Sequence, residues 1–202
     1  MKADDRNACL ARGELEHSGL LPALDALGRT EHVFEFDIGL DVLPAEPGIL
    51  LIRGARQYGK STWLERELRR TVEQFGAGTA YHLNGDTIRD LDALEDAIDA
   101  LVPLFASDAP VRRLFIDEIT AVDRWEIALK RLADAGTLRR VLVVTTGSKA
   151  TDLRRGSERL PGRKGRLART TYLFTPISFA EFSRVCGEGL GDDALLAYLL
   201  SG

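Results

Sequence analysis

The stretch GARQYGKSTW, residues 54–63, constrains this chain more than any other, because it follows directly on the apolar run GILLIR. Gly54, Gly59, Lys60 and Ser61 fit the spacing Gly-x4-Gly-Lys-Ser/Thr. Chance produces that pattern on the order of once in 30,000 positions when glycine is near 7% of residues. The glycines allow positive φ and close approach to an anion. Successive amides, from Gly54 and Ala55 through Arg56, Gln57 and Tyr58 to Gly59, can then face inward. The helix that follows, opening with Lys60, Ser61 and Thr62, points its positive end at the same spot. Lys60 supplies a point charge for β- and γ-phosphates, and the Ser61 hydroxyl is a hard oxygen for Mg2+.

The rest of the chain supplies the surroundings such a loop needs. Apolar runs at 48–54, 79–84, 112–118, 139–147 and 170–177 read as strands, the first as one buried on both faces. Helical patterns lie between them at 60–75, 91–101 and 121–136. Further helices begin near Ser178 and Asp192, and a short one spans 20–29. Residues 1–18 form a poorly ordered or helical arm, and 31–43 a short strand or a loop. Strands alternating with helices mean an α/β fold with a parallel sheet covered on both faces.

Composition removes several classes. At 202 residues with 45% hydrophobic and 29% charged residues, the chain reads as one soluble domain of ordinary size with, at most, part of a second. No apolar stretch approaches a membrane span of about 18 residues, and the N-terminus has no signal core. Cys9 and Cys186 have no metal-ligand spacing, so a reduced, cytoplasmic setting is expected. The net charge of -4 gives nucleic acid no general support as a partner.

The run LFIDEI ends a buried strand with Asp117 and Glu118, at the sheet edge where parallel sheets bind ligands. Asp117 would hold Mg2+ through its water shell, and Glu118 would polarise an attacking water. The competing reading is that both acids cap the next helix. The fourth strand ends in TTGS; alternation favours Thr146 and Ser148 over Thr145 for sensing phosphate or positioning water. Between 149 and 169 eight basic residues stand against two acidic ones. That loop could bring an arginine to a γ-phosphate, touch nucleic-acid phosphates, or be solvated. The three histidines lack ligand spacing, and Trp63 and Trp125 read as packing residues. No Asn-Lys-x-Asp base-reading motif occurs, which favours ATP over GTP.

Taken together, RGARQYGKSTWL, YHLNGD, LFIDEI with WEIALKRL, VVTTGSKATDLRRG, RLPGR and TPISFAEF resemble the archaeal-type predicted ATPases of the AAA+ superfamily. The resemblance covers about residues 48–182. It implies a P-loop NTPase fold: three α/β/α layers around a parallel five-stranded sheet in the order 5-1-4-3-2. It also implies ATP and Mg2+ binding, hydrolysis that drives a conformational switch, and a sensor role for Thr146 or Ser148. Arg163 matches the arginine of the family's Leu-x-Gly-Arg segment. Members of the family continue into a helical lid and a C-terminal domain. The expected division is therefore an N-terminal arm and helix over 1–47, an ATPase core over 48–186, and the start of a truncated lid over 187–202. The expected partners are the nucleotide, the missing C-terminal domain and a second copy. Two alternatives stay open: a regulatory module that holds nucleotide without turnover, and a small-molecule kinase. The kinase is weakened because the adjacent Asp117-Glu118 pair suits water activation better than a phosphoryl acceptor.

Overall fold

A computed structural model describes residues 3–148 and 167–201. Five strands form one sheet: β1 (Gly48–Arg53), β2 (Ala80–Asn84), β3 (Arg113–Asp117), β4 (Leu142–Gly147) and β5 (Thr171–Leu173). The order is β2-β3-β4-β1-β5 and every pairing is parallel. This is the expected P-loop NTPase order. β1 and β4 lie inside the sheet and carry Leu50, Ile52, Val143 and Val144, all with no exposed surface. That explains why their sequences are continuous apolar runs rather than alternating ones.

Helix α3 (Lys60–Phe75) returns from the end of β1 to β2 and buries Trp63, Leu64, Leu68 and Val72 against the sheet. α4 (Leu91–Leu101) leads from β2 to β3, and α5 (Trp125–Ala135) leads from β3 to β4. These two crossovers run in the opposite direction to the first, so right-handed connections put α4 and α5 on the other face. They pack on each other, with Leu94, Ile98, Leu129 and Leu132 buried. Asp90 starts α4, its carboxylate accepting the Ala93 amide at 2.9 Å.

The N-terminal arm is an ordered helix, α1 (Ala3–Arg12), followed by α2 (Pro22–Leu27). Cys9, Leu10, Leu20 and Leu21 belong to the same apolar core as the sheet. α1 lies along β2, the edge strand. The Asn7 amide nitrogen donates to the His82 carbonyl at 2.8 Å, and the Asn7 carbonyl oxygen accepts the His82 amide at 2.8 Å. One side chain thereby occupies the donor and acceptor that a sixth strand would take. Arg6, beside it, pairs with Glu65 of α3 at 2.8 Å.

The remaining departures from the sequence reading have local causes. Residues 31–43 contain no strand; the segment is loop, with Ile38 and Leu43 buried. β5 is shorter than the expected 170–177 because it pairs only with the last three residues of β1, which then turns away at Gly54. The chain beyond Asp117 makes a 3-10 turn at Ile119–Ala121, and α5 starts at Trp125 rather than near 121, because Arg124 breaks the run with φ 54°. Helices α6 (Phe179–Leu190) and α7 (Ala194–Ser201) close the described chain. They meet through Phe179, Phe182 and Tyr198, whose hydroxyl donates to the Ile177 carbonyl at 2.8 Å. Leu195, Leu196, Leu199 and Leu200 of α7 remain exposed.

Candidate nucleotide site

All five strands run in one direction, so their carboxyl ends share one edge, and the sequence-selected residues gather there. Residues 54–59 turn from β1 into α3. Gln57 has φ 64° and Gly59 has φ 91°, both in the left-handed region. A Cβ on Gly59 would also stand 2.6 Å from the tip of the Phe36 ring, which would have to shift. Gly54 serves differently. Its φ is not positive; a Cβ there would come within 2.5 Å of the Phe174 carbonyl oxygen, so glycine is required by the close passage of the chain after β5. The Gly59 carbonyl accepts the Trp63 amide at 2.9 Å and starts α3.

A cavity of about 590 Å³ opens in front of this turn. Arg56, Gln57, Gly59, Lys60, Ser61 and Thr62 form one wall. Glu118, Thr120, Ala121, Ser148 and Asp86 form the other. Lys60 is 4% exposed; its ammonium donates to the Ala55 carbonyl at 2.7 Å and stands 3.9 Å from Glu118 Oε1. Burial pulls the Lys60 pKa below its ordinary value, while Glu118 and Asp117 oppose that shift. Arg56 and Lys60 are the cations of this wall, facing the carboxylates of Asp86 and Glu118.

The two acids at the end of β3 are held in different ways. Asp117 accepts the Thr146 hydroxyl in a short hydrogen bond. The same Thr146 oxygen accepts the Glu118 amide at 3.0 Å, and Asp117 Oδ1 lies 3.1 Å from that amide. Glu118 has φ 45° and ψ 46°, a left-handed conformation that costs a non-glycine residue about 1–2 kcal/mol. Its carbonyl oxygen is where a Cβ on Gly85 would fall, at 2.4 Å, so the turn after β2 packs backbone to backbone against it. The Glu118 carboxylate Oε2 accepts both the amide and the hydroxyl of Ser148, each at 3.1 Å. Thr145 is buried and donates to the Leu50 carbonyl at 3.1 Å instead.

Gly54, Ala55, Tyr58, Asp117 and Thr146 do not line the cavity; Ala55 contributes its carbonyl to Lys60, Tyr58 packs partly buried against the core, and Asp117 and Thr146 stand behind Glu118, bonded to each other. Arg163 and residues 149–166 lie outside the described residues. Asp86 and Thr120 are cavity residues that reading from the phosphate loop and the acidic pair missed. A signal for Asp86 exists: the polar run Asn84-Gly85-Asp86 ends a strand whose register sets Asn84 opposite Asp117. A second cavity, of about 710 Å³, lies beyond Phe36, between residues 35–41, the α3 residues Trp63 and Arg66, and the chain from Thr175 to Glu181. Phe36 lines this second cavity while its ring lies against Gly59 of the first.

Comparison with known proteins agrees with this architecture. A family model described as an AAA domain matches residues 46–183. An uncharacterized protein of Methanocaldococcus jannaschii is 26% identical over 156 residues, which is 77% of this chain and 32% of that protein. The chain thus spans about a third of that relative's length. Among solved structures, the Orc1 protein of Aeropyrum pernix, determined in complex with DNA, superposes with a TM-score of 0.51 at 16% identity, over 96% of this chain and 55% of that one. A DNA polymerase III gamma subunit-related protein of Thermotoga maritima gives 0.50 at 15% identity, over 77% of this chain and 54% of that one. At such identities the two structures speak for the fold.

Proposed function

We propose that this chain, which belongs to the AAA domain family of nucleotide-binding AAA+ proteins, takes ATP with magnesium in the cavity before α3 and hydrolyses it to drive a conformational switch. The observation that carries the reading is the convergence of Lys60, Glu118 and Ser148 on one cavity wall-to-wall, although the sequence separates them widely.

The roles follow from chemistry. Amides of residues 54–59 and the N-terminus of α3 bind phosphate oxygens, and Lys60 exchanges its Ala55 carbonyl for them. Ser61 and Asp117 offer a hydroxyl and a carboxylate, the hard oxygen set that magnesium takes alongside phosphate and water. Magnesium, when bound, neutralises charge on the phosphate oxygens. Glu118 accepts a proton from the attacking water, and Thr146 keeps Asp117 and the Glu118 backbone in place. Arg163 remains a candidate for a further cation at the γ-phosphate, in its own site or a neighbour's. Residues 48–186 would be the ATPase core, with 1–47 as an N-terminal arm and 187–202 as the start of a helical lid. A second copy, a C-terminal domain and nucleic acid are the partners to test. No helix among the described residues is long and apolar enough to cross a membrane.

A second reading, a nucleotide-holding regulatory module, draws support from the engagement of Glu118 by both Ser148 and Lys60. Phosphate release and isothermal titration with Mg-ATP decide between the two. Under the first reading the parent turns over, Glu118→Gln binds ATP but does not release phosphate, and Lys60→Ala loses binding while staying folded. Binding without turnover in the parent selects the second. Parent-like affinity in Lys60→Ala removes both.

A further inference from the structure

We propose that Phe36 and Phe174 form an aromatic bracket that holds both ends of the phosphate loop in place, and that α6 fixes the Phe36 half of it. Phe36 is then a positioning residue for phosphate binding. This rests on the nucleotide reading above and adds what keeps that site in shape and which part of the chain can change it.

Gly54 and Gly59 open and close the loop. A Cβ on Gly54 would stand 2.8 Å from the Phe174 Cβ, and one on Gly59 would stand 2.6 Å from the tip of the Phe36 ring. Each end of the loop therefore lies against an aromatic residue, closer than a residue with a side chain could come. The two rings meet each other in turn, with centroids 4.9 Å apart and planes at 49°. That is the range of favourable tilted aromatic pairs. Contacts thus run in a closed circuit from Gly54 to Phe174, on to Phe36, and back to Gly59.

The two halves of the bracket are anchored differently. Phe174 is buried, and its amide donates to the Arg53 carbonyl at 2.6 Å, so it extends the sheet. Phe36 stands in the loop 31–43, which has no strand or helix of its own. Its neighbours are held by α6 instead. The Glu35 amide donates to Glu181 Oε1 at 2.6 Å, and the Phe34 ring lies over Phe182 with planes 7° apart. Arg184 holds Glu181 from the other side with two hydrogen bonds of 2.7 Å. A movement of α6 therefore reaches Gly59 through Glu35 and Phe36. Phe36 also lines the cavity of about 710 Å³, which gives its ring a space to withdraw into.

The loop needs such support. Gln57 and Gly59 both sit at positive φ, and no cap from a side chain closes the start of α3. Amides already held in a converging arrangement lose less freedom when an anion binds them. With Phe36 in place the loop keeps that arrangement; with Phe36 withdrawn it relaxes and must be ordered again by the ligand. The effect falls on the phosphates and is indifferent to the base.

Calorimetry with Mg-ATP and with magnesium tripolyphosphate, which has no base, tests this together with NMR relaxation in the absence of ligand. Phe36→Ala should weaken both ligands by the same factor, about ten-fold, the equilibrium worth of ordering one backbone residue. The Gly59 amide order parameter without ligand should fall from about 0.85 to below about 0.6. Phe36→Leu refills the space and should recover both affinities to within about three-fold. Glu181→Ala frees the Glu35 amide and should weaken tripolyphosphate about three-fold in the parent but no further in Phe36→Ala. If Phe36→Ala does not fold, Phe36→Val carries the same comparison. Loss of ATP affinity with tripolyphosphate unaffected would mean that Phe36 touches the base and not the loop, and the proposal is wrong. A Glu181→Ala effect that persists in full without Phe36 breaks the link to α6. A parent that binds neither ligand defeats the nucleotide reading, and the bracket is then decided by the Gly59 order parameter: a fall in Phe36→Ala upholds it and no change overturns it.

Discussion

Thr146 joins the two acids at the end of β3: its hydroxyl donates to Asp117 Oδ1 while its oxygen accepts the Glu118 amide at 3.0 Å. Thr146 is itself fully buried, so neither bond is shared with water. Thr146→Val keeps the shape and removes both bonds. The half-buried Asp117 carboxylate loses a donor while the Glu118 amide keeps Asp117 Oδ1 at 3.1 Å, so the cost should be about 1 kcal/mol. Urea unfolding should show that loss as a lower midpoint with an unchanged slope. Phosphate release should fall with it, since the Glu118 amide loses one of its two acceptors.

Gly85 should be as intolerant as a phosphate-loop glycine, though it lies outside that loop. A Cβ there meets the Glu118 carbonyl at 2.4 Å, against backbone that cannot swing aside. Gly85→Ala should therefore lower turnover through Glu118 while the circular dichroism spectrum stays that of the parent. Gly76→Ala is the control for stability. It has φ 92° but meets nothing within 4 Å, so it carries strain without a clash and should leave kcat unchanged.

The sheet edge gives a test of the N-terminal arm. Asn7→Ala leaves the His82 amide and carbonyl without their partner and should cost about 2 kcal/mol in urea unfolding. Asn7→Asp keeps the acceptor for the amide but sets a carboxylate against the carbonyl. It should be at least as destabilising, and equal stability of Asp and Asn at this position would refute the edge-capping account.

His82 ties folding to pH. Burial, with the neighbouring Arg6 charge, pushes its pKa down to about 3. In the unfolded chain a histidine takes its proton near pH 6.5. Between those two values the unfolded chain binds more protons, so this contribution to stability is complete above pH 6.5 and is lost as pH falls towards 3. The slope contributed approaches about 1.4 kcal/mol per pH unit. Unfolding free energies measured from pH 7 to 4 should show it, and His82→Gln should lose that part of the slope. Comparing the two proteins cancels the opposite trend from Glu65, whose pKa burial raises.

The sequence alone determined the parts that rest on local sterics and periodicity. The turn at 54–59 and the span of α3 from Lys60 to Phe75 follow from the glycine spacing and the 3.6-residue apolar pattern. The buried strands follow from continuous apolar runs, and the alternation of strands with helices makes the sheet parallel. The strand order came through the family resemblance, and that order in turn carries LFIDEI and TTGS to adjacent strand ends. Tertiary structure alone decided what depends on register and on packing between distant segments. Ser148 and Glu118 meet across 30 positions of sequence because β3 and β4 pair in one particular register. Asp86 enters the cavity because Asn84 pairs with Asp117, and Phe36 reaches Gly59 from a loop that has no periodic signal at all. The polar helix that looked like an arm became the cover of a strand edge because one amide matches the spacing of a neighbouring backbone, a complementarity that no residue pattern within the helix records.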